Sequence, residues 1–204
     1  ETAHQIGTPL SSLVGWTELL KNQDIPENYI IEIENDINRL RKITNRFSKI
    51  GSTPTLTPTD IVALSKETFK YLQSRSSNLI EFDIKLPKSP IMVALNAELF
   101  SWTIENLVKN GIDAMRGQGL LTIVLLKENK KAVLHITDGG KGIRKKDFNR
   151  IFRPGFTTKQ RGWGLGLSLA RRIVEDYHKG KIRVLKSVRN QGSTLEICLQ
   201  EYSS

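Results

Sequence analysis

At Gly51-Ser52-Thr53-Pro54-Thr55-Leu56-Thr57-Pro58-Thr59 the hydrophobic pattern of this 204-residue chain changes character. Before it, apolar residues recur at helical spacings. After it, strand-like and helix-like runs alternate. The stretch itself is polar, carries two prolines and has no apolar period, so 51–59 reads as a linker. The expected organisation is a small helical domain over 1–50 and a mixed domain over 60–204, a division the length allows.

Residues 1–22 and 28–50 each carry the helical pattern. In the second, Ile30, Ile33, Ile37, Leu40, Thr44 and Phe47 alternate spacings of three and four, a narrow heptad-like seam. In the first, Ile6, Leu10, Leu13 and Leu20 mark one face, with Val14 beside it. The break from Asn22 to Glu27 holds a capping Asp24 and Pro26, which predicts an antiparallel hairpin. A lone hairpin buries too little apolar surface to be stable. Pairing with a second copy into a four-helix bundle solves that, so a homodimer through residues 1–50 is expected.

Beyond the linker, Asp60 is placed to cap a helix running to about residue 76. Ile80–Ile84 alternates as a half-buried strand does, and Ile91–Leu95 is a short apolar strand. Residues 96–116 predict a long helix. Leu120–Leu126 and Ala132–Thr137 predict strands around the turn Glu128-Asn129-Lys130-Lys131. A helix over 165–178 and strands over Lys181–Leu185 and Thr194–Leu199 complete the pattern. The expected fold is α+β: a helical hairpin followed by an α/β sandwich, with one mixed sheet covered by helices on one face.

Composition excludes several alternatives. Hydrophobic content of 38% is too high for a wholly disordered chain. Leu120–Leu126 is too short to cross a bilayer. No secretory signal opens the sequence. Cys198 stands alone, so no internal disulfide forms and a cytoplasmic setting fits. The chain opens on Glu1 and runs at once into helical sequence, which reads as a fragment of a longer protein. The net charge of +10 is uneven: from Lys141 to Arg172 ten lysines and arginines face Asp147 alone. Such a field attracts anions, nucleotide or nucleic acid, although a charge run is most often a solvated surface.

Four clusters carry chemistry. In His4-Gln5-Ile6-Gly7-Thr8-Pro9-Leu10, Thr8 shares the helix face of His4. Pro9 cannot bond the carbonyl of Gln5, which loosens the helix beside the imidazole. In Asn106-Leu107-Val108-Lys109-Asn110-Gly111-Ile112-Asp113-Ala114, Asn106, Asn110 and Asp113 share one face, and two amide oxygens suit phosphate-bound Mg²⁺. Asp138-Gly139-Gly140-Lys141-Gly142-Ile143 places a carboxylate at a strand end, where it can accept from an amino group while glycines let a flat ligand approach. From Ile151-Phe152-Arg153-Pro154-Gly155-Phe156-Thr157-Thr158-Lys159 to Gly162-Trp163-Gly164-Leu165-Gly166-Leu167, a basic lid precedes a glycine-led helix start, a site for phosphates. Each has a bland reading: a kink at Pro9, a polar stripe on the long helix, a Gly-rich turn, a lone G-x-G.

Taken together and in this order, the four resemble the sensor histidine kinases of two-component systems. His4–Leu10 is similar to the H-box, Asn106–Ala114 to the N-box and Asp138–Ile143 to the G1 box. Phe152–Phe156 is similar to the F-box, Gly162–Leu167 to the G2 box, and Gly192-Ser193-Thr194 to the last G-box. The mixed domain resembles the GHKL-type ATPases, shared with gyrase, mismatch-repair and heat-shock-chaperone proteins, which lack an H-box.

The resemblance implies ATP and Mg²⁺ as cofactors, autophosphorylation of His4, and phosphotransfer to an aspartate of a response regulator receiver domain. It implies that Asn110, helped by Asn106, holds Mg²⁺, and that Asp138 binds the adenine amino group. The implied cofactor-binding set also includes Lys109, Asp113, Gly140, Gly142, Ile143, Phe152, Phe156, Thr157, Thr158, Lys159, Gly162, Gly164, Leu165, Gly166, Leu167 and Thr194. Thr8 would orient water for phosphatase action. It further implies upstream sensor and membrane segments, hence a cytoplasmic domain of a membrane-anchored sensor.

Two departures stand out. Gln5 replaces the usual acid after the histidine, and an amide cannot take the proton, so base assistance weakens; a general base is worth about 10²–10⁴-fold. Gly7 replaces a common Arg or Lys. Gln5 keeps one alternative open, an ATP-binding relative acting mainly as a phosphatase or conformational module. A nucleic-acid module explains neither the paired asparagines nor Asp138, so no nucleic-acid partner is expected.

Overall fold

The computed structural model describes residues 13–21, 23, 25–35, 37, 54–157 and 164–203. The chain divides into two compact units, Glu1–Pro54 and Thr55–Ser204. His4, Gln5, Thr8, Thr158, Lys159 and Gly162 lie outside the described residues, as does the seam beyond residue 37.

In the first unit, helices α1 (13–20) and α2 (27–35) flank the expected break. Lys21 Nζ ties them, 3.0 Å from Glu18 and 2.7 Å from Glu34. Ile30 and Ile37 of the seam are buried, as is Thr17, whose hydroxyl donates to the Val14 carbonyl at 2.8 Å. Ile33 is 39% exposed, and Trp16, Leu19 and Tyr29 are more open still.

The second unit begins with a difference from expectation. Thr57–Asp60 is a strand, β1, antiparallel to β3 (Met92–Leu95), so Thr57, Pro58 and Thr59 are not linker. β-Branched threonines suit a strand, and Pro58 is tolerated because β1 is an edge. Asp60 then caps α3 (Ile61–Arg75): its Oδ1 accepts from the N–H of Val62 at 3.0 Å and of Ile91 at 3.2 Å. One carboxylate thereby fixes both the helix start and the approach to β3.

The main sheet has the order β2-β4-β5-β7-β6. It comprises β2 (Ile80–Lys85), β4 (Gly119–Glu128), β5 (Lys131–Asp138), β6 (Lys181–Val188) and β7 (Gly192–Gln200). Among the described strands only β2 and β4 pair in parallel. Period-2 alternation sends Leu121, Ile123 and Leu125 of β4, Leu134 and Ile136 of β5, and Leu195, Ile197 and Leu199 of β7 to one face. There they meet Ile104, Leu107 and Val108 of α4 (Ala97–Ala114), Phe69 of α3, and Ala170 of α5 (Gly166–Arg171). The core is the helix–sheet layer, as the pattern predicts. The chain continues from α5 into π-helical turns, Arg172–Tyr177, which bury Ile173 and Val174.

Candidate functional site

α4 forms because Asn96 caps it, its Oδ1 accepting from the Leu99 N–H at 3.1 Å, and because one face is apolar throughout. Asn106 and Asn110 fall outside the fully buried face. The Asn110 amide donates to the Asn106 carbonyl at 2.7 Å. Asn106 Nδ2 is buried with no hydrogen-bond partner. Leaving such a group unmet costs about 1–3 kcal/mol, so the site calls for a polar group that the described residues do not supply. Lys109 and Asp113 are exposed on the same helix.

Gly166 opens α5 against this pair. A Cβ there would sit 3.3 Å from Asn106 Oδ1 and 3.9 Å from Asn110 Nδ2. Among the described residues no side chain caps α5 at Leu165. Gly164, with φ of +63°, brings the chain in by close approach to Gly155 and Phe156. Leu167 joins the core edge, as do Ile143 and Phe156, whereas Phe152 is fully buried. Arg171 and Arg150 lie over the rings of Phe152 and Phe156, at 5.5 and 5.3 Å. Thr157 is exposed.

Asp138 ends β5 and is 8% exposed. Its Oδ1 accepts from the Gly140 N–H at 2.8 Å. Burial pushes its carboxyl above the usual range, and backbone N–H groups, Gly140 and Ser193 among them, pull against that shift. The turn lies directly against α4. A Cβ on Gly111 would come within 3.3 Å of Asp138 Cβ, and one on Gly140 would lie 2.4 Å from the Ala114 carbonyl carbon. Lys141 N–H also donates to the Ala114 carbonyl at 3.2 Å. The asparagine helix, the Asp138 turn and the glycine-led α5 therefore meet around one stretch of α4.

Thr194 is the exception. It sits in β7 between Ser193 and Leu195, and its Oγ1 lies 2.9 Å from Thr137 Oγ1. Alternation puts Thr194 with Glu196 on the sheet face away from the helices, so its side chain is not beside that of Asp138. The neighbour on Asp138's face is Ser193, paired with it across β5 and β7. Counting from Leu195, Ile197 and Leu199, all core residues, would have selected Ser193.

A second residue missed in the sequence is Ser187. Its hydroxyl donates to the Gly192 carbonyl at 3.0 Å, accepts from the Ile143 N–H at 2.7 Å, and lies 3.1 Å from Ser193 Oγ. It ties the Asp138–Ile143 loop to the β6–β7 hairpin.

A family model described as histidine kinase-, DNA gyrase B- and HSP90-like ATPase matches residues 96–203, and the chain belongs to that family. Within it the chain is of the histidine kinase branch: a His kinase A (phospho-acceptor) domain model matches residues 1–53. Sporulation kinase D of Bacillus subtilis (strain 168) is 32% identical over 207 residues, covering 97% of this chain and 40% of that protein. Signal transduction histidine-protein kinase AtoS of Escherichia coli (strain K12) is 27% identical over 205 residues, covering 97% of this chain and 33% of that protein. The chain thus spans less than half the length of these relatives. The nucleotide-free catalytic domain of histidine kinase ThkA superposes with a TM-score of 0.65 at 27% identity, over 72% of this chain and 97% of that one. Histidine kinase ThkA in complex with response regulator protein TrrA gives 0.68 at 26% identity, over 98% of this chain and 60% of that one.

Proposed function

We propose that this chain is the ATP-using core of a sensor histidine kinase that phosphorylates itself on His4 and passes the phosphoryl group to an aspartate of a response regulator. The observation that carries the reading is the meeting of Asn106 and Asn110, the Asp138 turn and the start of α5 around one segment of α4. The unmet Asn106 amide and the uncapped α5 start fit a phosphate-bearing ligand.

Asp138, a buried acceptor, takes the base amino group. Asn110 and Asn106 offer amide oxygens to Mg²⁺, which when bound neutralises charge on the phosphates. Lys109, Thr157, Thr158, Lys159 and the Gly162–Leu167 segment serve the polyphosphate in this reading. A His4 ring nitrogen forms a bond to the γ-phosphorus as the bond to the β–γ bridging oxygen breaks, and ADP leaves. The phosphoryl group then moves to a receiver carboxylate, freeing the imidazole. Gln5 orients the ring without taking its proton, and Thr8 positions water for dephosphorylation.

Dimerisation through residues 1–50 is supported by the apolar side chains that one copy leaves open, Trp16, Leu19 and Tyr29. A sensor and a membrane anchor belong to the parent protein in this reading, with this portion in the cytoplasm; no described helix is long and apolar enough to span a bilayer. Incubation with γ-labelled ATP tests the kinase. Acid-labile label on the wild type that His4→Gln abolishes is the expected result. Nucleotide binding without label would instead indicate a phosphatase or conformational module.

A further inference from the structure

We propose that Ser187 sets the base selectivity of the nucleotide site, making it read a 6-amino purine and reject a 6-oxo purine. The inference rests on the reading of Asp138 as the base-binding carboxylate.

A serine hydroxyl has one hydrogen to give and two lone pairs to receive with. The Ser187 hydrogen goes to the Gly192 carbonyl, and one lone pair takes the Ile143 N–H. Only a lone pair is left toward Ser193 Oγ at 3.1 Å, so within that contact Ser193 is the donor. The Ser193 proton is thereby committed to the protein, and toward a ligand its oxygen can only accept.

Ser193 pairs with Asp138 in the β5–β7 ladder, which puts their side chains on one face with Cβ atoms about 4.5–5.5 Å apart. Asp138 already receives the Gly140 N–H at 2.8 Å, the arrangement of an acceptor carboxylate. Two acceptors side by side suit the two N–H bonds of an exocyclic amine. A carbonyl in the same place sets lone pairs against lone pairs. Both residues are more than nine-tenths buried, which raises the cost of that mismatch. With Ser187 unable to accept, the Ser193 hydroxyl could rotate and donate to a carbonyl.

The test is equilibrium binding of Mg-ATP and Mg-ITP to the full chain at pH 7.5. The two ligands differ in the 6-amino or 6-oxo group and the adjacent ring nitrogen. Wild type is expected to prefer ATP by about 100-fold or more; sites that leave buried polar groups unpaired against the wrong ligand reach about 10⁴–10⁵. Ser187→Ala should narrow the preference to about tenfold, roughly one hydrogen bond, through tighter ITP binding. Ser187→Thr keeps the hydroxyl and should keep the wild-type ratio. Should Ser187→Ala fail to melt cooperatively, Ser187→Cys, whose sulfur accepts only weakly, takes its place. An unchanged ATP-to-ITP ratio in a folded Ala or Cys variant, with Asp138→Asn still abolishing ATP binding, overturns this inference alone. ATP binding that is absent in wild type or unaffected by Asp138→Asn overturns the base-site reading and the inference with it.

Discussion

The backbone N–H of Asn96 donates to Nε2 of His178 at 3.0 Å, while the ring's Nδ1 lies 2.7 Å from the Ile173 carbonyl oxygen. An acceptor at Nε2 and a donor at Nδ1 define a neutral imidazole of one tautomer. The ring is buried, stands edge-on to Phe100, and joins the start of α4 to the π-helical turns after α5. Burial holds its pKa below the ordinary 6.5, with the Ile173 bond opposing in part. A depressed folded value means protonation favours the unfolded chain. The contribution is therefore whole above pH 6.5 and is lost as pH falls through the folded value. His178→Ala should cost about 2–4 kcal/mol by urea denaturation at pH 7.5, because two backbone groups lose their partner. The variant should also lack this component of the wild type's loss of stability between pH 7 and 5.

Asp138 behaves in the opposite sense. Its raised carboxyl lends stability at acid pH that disappears as pH rises through the folded value, since the buried charge is disfavoured. In the proposed reading, nucleotide binding needs the charged acceptor. Asp138→Asn should leave the melting temperature without ligand within a few degrees of wild type, or raise it. It should also remove the upward shift expected of wild type with Mg-ATP, since removing a paired acceptor costs about 1–3 kcal/mol or more in binding. Thermal shift with and without nucleotide separates the two effects.

Gly140→Ala should be severe. The added methyl would meet the Ala114 carbonyl carbon at 2.4 Å and oxygen at 2.5 Å, both backbone atoms of α4. Relief requires moving the Asp138 turn off the helix, at a cost on the order of 1–3 kcal/mol or more. Denaturant unfolding should register the loss, and nucleotide affinity should fall alongside it. Gly139→Ala, where a methyl meets nothing within 4 Å, is the matched control.

Asp147 links the turn segments between Ile143 and Phe156. It is buried, and its oxygens take Arg144 Nε at 2.8 Å and Arg150 Nη1 at 3.1 Å. Arg150 in turn covers Phe156. Both arginines are half or more exposed, so each pair alone is weak. Asp147→Ala should still cost about 1–2 kcal/mol, because two cations share the buried acid. Amide exchange across residues 145–157 should accelerate while that of β4 and β5 stays unchanged.

The sheet and its covering helices were legible because burial repeats with a period the eye can count. Ile80–Lys85, Ala97–Ala114 and the hairpin through Asn129-Lys130 fall where the pattern puts them. The turn residues Asn129 and Lys130 take φ of +48° and +59°, as a tight hairpin demands. β1 was not legible: Thr57-Pro58-Thr59 has no apolar alternation, and pairing with β3 alone makes it a strand. Asn106, Asn110 and Asp138 could be picked out of the sequence as candidates because each carries its own polar group, and the structure brings them around α4. Ser187 could not, since its role comes from contact with Ile143 and Ser193, residues 44 and 6 positions away. The resemblance implies Thr194, whereas strand parity puts Ser193 on the face of Asp138.

The wide turns of Arg172–Tyr177 fix how many residues can lie between α5 and β6. In a π-helix each turn holds more residues than in an α-helix, and here it closes with His178 N–H bonded to the Ile173 carbonyl at 3.1 Å. An inserted residue, with no further widening to absorb it, would swing everything after it by about 100°. His178 would then point away from Asn96, and Gly180 would no longer meet β7 at the Cys198 carbonyl. This short coil therefore takes no added residue: side chains on its outer face can vary freely, whereas a single-residue insertion would unseat both the long helix and the sheet edge.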